Sequence, residues 1–192
     1  MKRSAEFGGS VGISAVATVL LLIAITGARK SGGLEARGAP PWPAPTAVGT
    51  GVRAAGLSLA SAGVVTRYAV HLDVLVNGRA VPVPAGIGVD RRSRAVAPLV
   101  TSDGSGIIHV SSDAYAPVFT LGQFFDEWQV TLTDGRLGGL DGGTTVAYVN
   151  GSRLRGDPAA LVLAPHQEIA VSYVADGDQG RLPGGYTFPA GM

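Results

Sequence analysis

The chain has no cysteine. That removes disulfide cross-links, thiolate metal ligands, a cysteine nucleophile and a lipid-modified N-terminal cysteine. An excess of charge of either sign is also missing: 15 basic and 14 acidic residues leave a formal charge of +1, too weak a field to gather nucleic acid or anionic lipid. Only "RRSR" at 91–94 concentrates basic residues, and it reads as a solvated loop. Nucleic acid is therefore not an expected partner. Aromatic residues are scarce at 6% and charged ones at 15%, so the 46% hydrophobic content is carried mainly by aliphatic side chains and alanine. Part of that excess sits in a single N-terminal block.

The block lies between Glu6 and Arg29, where "FGGSVGISAVATVLLLIAITGA" runs without a charge. A helix rises about 1.5 Å per residue, so roughly 20 apolar residues cross a hydrocarbon core of about 30 Å. Residues 1–8 are then a cytoplasmic leader and 9–28 a signal anchor held in the lipid bilayer. A cleaved signal peptide is the competing reading, since Lys2 and Arg3 supply its charged start. Against it, "ITGARK" offers a poor small-x-small cleavage site and places Arg29 and Lys30 directly after it. Basic residues flank both sides of the run and nearly balance the charge rule. A short leader before an anchor favours an extracytoplasmic C-terminal domain, which makes the chain a single-pass protein of the cell membrane. Prolines at 40, 41, 43 and 45 cannot sustain a helix or central strand, so 29–63 reads as an extended stalk. Trp42 within it is a candidate for the membrane interface.

From Val64 short apolar stretches alternate with turn signals. In "YAVHLDVLVNGRAVPV" one side carries Val70, Leu72, Val74 and Val76 and the other His71, Asp73 and Leu75. Asn77-Gly78 supplies the positive φ angles of a tight hairpin turn. Pro82 and Pro84 put the return strand at an unpaired edge. "GIIHV" predicts a further strand. Thr120 and Gln123 match a capping box ahead of Leu121, Phe124, Phe125 and Trp128 at helical spacing. "WQVTLTDG", "TTVAYVNGSRL" and "EIAVSYV" predict more strands. These elements predict an α+β domain over 64–175, a mostly antiparallel sheet with one short helix in a β-grasp-like arrangement, the alternative being a β-sandwich with a helical insertion. Residues 176–192, rich in glycine and proline, read as a flexible tail.

Chemistry is sparse. Ser105, His109 and Asp103 have the residue types of a hydrolytic triad, but four residues along a straight strand separate Ser105 from His109 by about 13 Å, at roughly 3.3 Å per residue. "DGSG" is also no nucleophile elbow. The expectation is a non-enzymatic binding or interaction module, with an envelope protein as its partner and no cofactor. The alternative is a copper or zinc site assembled from His71, His109, His166 and Asp103, for imidazoles on separate strands can converge on one ion. The simpler reading puts His71 and His109 on the less buried sheet face and His166 in a turn.

The ordered stretches "HLDVLVNG", "VPAGIGV", "SDGSGIIHV", "FTLGQFFDEW", "VAYVNG" and "HQEIAVSYV" resemble bacterial envelope proteins of actinobacterial type in which such a domain follows an N-terminal anchor. The resemblance implies a metal-binding candidate with several histidines around the first strand and the "SGIIHV" strand. At matching positions this chain has Arg67 and Ala69 ahead of His71, and Val100 and Ser102 where that group carries two histidines. Asp103, Ser105, Gly106 and His109 match. The resemblance thus implies a site that has lost ligands, and losing one or two from a four-ligand site cripples it.

Overall fold

The computed structural model describes residues 38–59, 64–175 and 184–189. The expected leader and membrane span at 1–28 lie outside them. Among the described residues no helix is long and apolar enough to cross a membrane.

The β-branched and apolar run in "TRYAVHLDVLV" makes β1 (Thr66–Val76) an eleven-residue strand at the centre of the sheet, buried on both faces over Ala69–Leu72. Asn77 and Gly78, at φ 50° and 72°, turn it into β2 (Arg79–Val81). β2 stops before Pro82, and Pro84 is held by the Thr101 hydroxyl, which donates to its carbonyl at 2.7 Å. Two minimal strands, β3 (Val89–Asp90) and β4 (Ala95–Val96), pair around the exposed "RRSR" turn. β5 (Leu99–Val100) and β6 (Ile107–Ser112) return the chain to β1.

Helix α2 (Leu121–Trp128) begins at a full capping box: the Thr120 hydroxyl accepts from the Gln123 amide while the Gln123 side chain accepts from the Thr120 amide. Phe124, Phe125 and Trp128 are fully buried. The expected strand in "WQVTLTDG" is interrupted, because Gln129 adopts a left-handed cap at φ 61°. Only β7 (Leu132–Thr133) and β8 (Arg136–Leu137) form there, as a separate hairpin. β9 (Thr144–Val149) and β10 (Ser152–Arg153) close over Asn150-Gly151, and a 3₁₀ turn (Pro158–Ala160) leads towards β11 (Glu168–Val174).

The main sheet runs β10-β9-β11-β1-β6-β5, with β2 also paired to β1. All its ladders are antiparallel except β1 with β11, which are parallel. The fold is α+β with a mixed sheet. One face, carrying Val70, Leu72, Val74, Ile108, Val110, Ile169 and Val171, packs on α2 and forms the core.

Three expectations are corrected. There are two α-helices, not one: α1 (Val48–Ala54) lies inside the stretch read as a stalk. Both its ends are held from α2, since Gln129 donates to the Ala47 carbonyl at 2.9 Å and Gln123 to the Ala55 carbonyl at 3.1 Å. The described part of the linker therefore belongs to the domain. Trp42 is 3% exposed, meets Trp128 edge to face at 6.1 Å, and sits in the core rather than at a bilayer. The tail was the third: residues 184–189 lie on the sheet, with Tyr186 stacked on His71.

Candidate functional site

The sheet face opposite α2 carries the polar groups. Side chains directly opposite in a ladder share a face, so the registers place His71 beside Glu168 and Ile107, and Asp73 beside Ala170. His71 is not on a wet surface, as the alternation implied; it is 4% exposed. Its ring is sandwiched. The Tyr186 ring stacks on it at 3.7 Å with 7° between planes, while Gly106 lies so close that a Cβ there would come within 3.2 Å of His71 Nε2. Gly106 sits at φ 82°, which a side chain resists.

The ring's hydrogen bonds fix its tautomer when neutral. Nε2 lies 3.0 Å from the Ser105 carbonyl, which can only accept, so Nε2 carries the proton. Nδ1 is the other ring nitrogen. It is buried without a hydrogen-bond partner among the described residues, and faces the Asp73 carboxylate at 3.7 Å. Burial raises the Asp73 pKa above the usual carboxylate value; nearby Glu168 pushes it the same way and His71 opposes both. Two carboxylates, Asp73 and Glu168, thus lie beside the buried imidazole. Glu168 accepts from the Tyr186 amide, which holds the strap at 184–189 onto the sheet. Beside this group opens a cleft of about 180 Å³ lined by Asp73, Tyr148, Asn150, Glu168, Ala170 and Gly185.

The other expected ligands are placed differently. His109 is on the same face as His71, but opposite Ala69 and Val100 and only half-buried. His166 sits in the turn before β11 at φ 57°, donates its amide to the Ala69 carbonyl and meets Phe188 at 5.3 Å. Asp103 is exposed and accepts from the Ser105 amide at 2.9 Å; hydrogen bonds from Ser105 hold its pKa below the usual range, with a smaller pull from His109. Among the described residues no three of His, Asp or Glu are grouped to hold a metal ion. Ser105 Oγ accepts from the Ile107 amide at 3.3 Å, bracing the turn.

Sequence reasoning missed Glu168, Tyr148 and Tyr186. Glu168 follows from the parallel β1–β11 register and Tyr148 from the antiparallel β9–β11 register beside it, neither of which a local pattern encodes; Tyr186 lies in a stretch whose glycine and proline content signalled only looseness. Comparison with protein-family models, curated proteins and solved structures gave no match, so the geometry carries the reading of the site.

Proposed function

We propose that the chain is a membrane-tethered, extracytoplasmic and non-enzymatic binding module whose cleft takes a ligand bearing an amine. One observation carries this: two carboxylates, Asp73 and Glu168, line one small cleft, and Asp73 lies 3.7 Å from the buried Nδ1 of His71. An ammonium group has three donors and a positive charge to satisfy such acceptors. The tether rests on the uncharged 22-residue run ahead of Arg29 and on the resemblance to anchored envelope proteins. The strand order, with the first hairpin beside a parallel pairing of β1 and the last strand and a helix packed on one face, supports a β-grasp arrangement.

Isothermal titration of the full chain in detergent with 6-aminohexanamide tests the ligand class. Saturable one-to-one binding that disappears in Asp73→Asn is expected; no binding, or binding indifferent to that change, overturns it. The juxtaposition of His71 Nδ1 and the Asp73 carboxylate favours copper or zinc as the second reading, and stoichiometric zinc uptake abolished by His71→Ala would replace the amine with the metal. For topology, an alkaline phosphatase fused after Met192 should be active, as that enzyme matures only outside the cytoplasm. Activity of a cytoplasm-only reporter at the same position would overturn the orientation.

A further inference from the structure

The outer edge of β9 is left open where the chain departs from β10. In the β9–β11 ladder the Asn150 amide donates to the Glu168 carbonyl, so even-numbered residues of β9 face β11 and odd-numbered ones turn their backbone groups outward. Val149 pairs with Ser152, the Ala147 carbonyl accepts from the Leu154 amide at 2.8 Å, and the Thr145 amide donates to the Asp134 carbonyl at 2.6 Å. Two groups remain between these contacts: the Thr145 carbonyl and the Ala147 amide have no partner among the described residues. Ala147 is 2% exposed, and an unpaired amide at so buried a residue is rare. The Thr145 hydroxyl is likewise buried and unpartnered. Gly156, at φ 95°, and the Asp157-capped 3₁₀ turn after it draw the arm that starts at Leu154 away from β9. Between arm and strand opens a cleft of about 870 Å³, inside the range of about 300–1,000 Å³ usual for ligand sites.

We infer that this cleft binds the C-terminal end of an extended peptide, its last backbone groups on the Thr145 carbonyl and the Ala147 amide and its carboxylate at Arg153 and Arg155. The two arginines, one on β10 and one in the arm beyond it, both line the cleft. Both are exposed and neither has an ion pair among the described residues, while the lining sets a single acid, Asp134, against them. A guanidinium fork matches a carboxylate in two parallel hydrogen bonds, and an open strand edge takes an extended chain. The gap selects a chain end. From Thr145 to Ala147 the free edge measures about 7 Å of strand, with Asp134 closing one side and Leu154 the other. A strand running through would meet both, whereas a terminus needs room for only its last residue or two. The site shares no lining residue with the cleft at Asp73 and Glu168 and does not depend on the amine reading.

Amide NMR spectra of the isotope-labelled full chain in detergent test this with three probes: acetyl-trialanine, its C-terminal carboxamide, and a carboxamide-blocked tripeptide whose only carboxylate is an internal aspartate. Acetyl-trialanine should shift the Ala147 amide resonance saturably and bind about tenfold more tightly than its carboxamide, the gain from a charge-assisted contact at a partly solvated site. Arg153→Gln combined with Arg155→Gln should erase that advantage and leave the weaker binding of the carboxamide in place. Both side chains are exposed, and unchanged resonances from the core verify that the doubly substituted chain folds. The inference is overturned by the absence of a saturable shift at Ala147, by equal affinity for the free and blocked ends, or by a preference that survives the double substitution. Binding of the internal aspartate as tightly as the free end overturns it as well, in favour of an acidic segment. None of these results bears on titration with 6-aminohexanamide, so the two clefts are judged separately.

Discussion

Glu127 is a carboxylate buried at a cost to the fold. It lies on α2 with no exposed surface, and both carboxylate oxygens lack a well-formed hydrogen bond among the described residues. Burial holds its pKa well above the ordinary carboxylate range, and the Leu99 backbone offsets only part of that. The folded state therefore binds a proton that the unfolded chain releases near its ordinary pKa of about 4.3. Stability should fall as pH rises from there to the raised folded-state value and then level off. Glu127→Gln should flatten this slope, and melting temperatures from pH 4 to 8 would show it; parallel curves for the two proteins would contradict the account. Gly106 makes a second residue-scale prediction. A Cβ there would lie 2.5 Å from the Leu72 carbonyl in a left-handed backbone, so Gly106→Ala should cost about 1–3 kcal/mol in urea unfolding and displace His71 from the Tyr186 ring.

At the scale of elements, legibility tracks how local the cause is. The capping box, the two Asn-Gly turns and the aromatic stripe of α2 depend on neighbours within four positions, and each formed where the residues placed it. Thr120→Ala should accordingly lower stability by about 1 kcal/mol through loss of the cap, read as a shifted urea midpoint with an unchanged slope. Helix α1 had no such signature. "VGTGVRA" has two glycines and low intrinsic helix preference; its reason is tertiary, because a Cβ on Gly51 would fall 2.6 Å from the Glu127 carbonyl. Glycine there permits the two helices to touch. Trp42 was equally hidden, since prolines around it announce extension without saying what the extended chain lies against. Within the site, His71 and Asp73 were visible as one face of a strand, whereas their burial depended on a strap arriving from more than a hundred positions away.

At the scale of the molecule, the folded unit reaches beyond the 64–175 span. Trp42 and α1 at one end and Tyr186 at the other contribute buried contacts. A chain starting at Val64 should melt well below one starting at Gly38, for removing a buried tryptophan alone costs about 3–5 kcal/mol; equal melting temperatures would show the N-terminal segment to be dispensable. Truncation after Ala175 should bare the His71 ring, so that diethyl pyrocarbonate modifies one more histidine than in the full chain.

The parallel ladder has one more consequence, for the order of events at birth. His71 pairs with Glu168, so the middle of the sheet cannot zip until almost the whole polypeptide has been made, and such remote pairings are slow to find. Until β11 arrives, β1 can be held only by β2 and β6, and the β9–β11 half of the sheet has nothing to join.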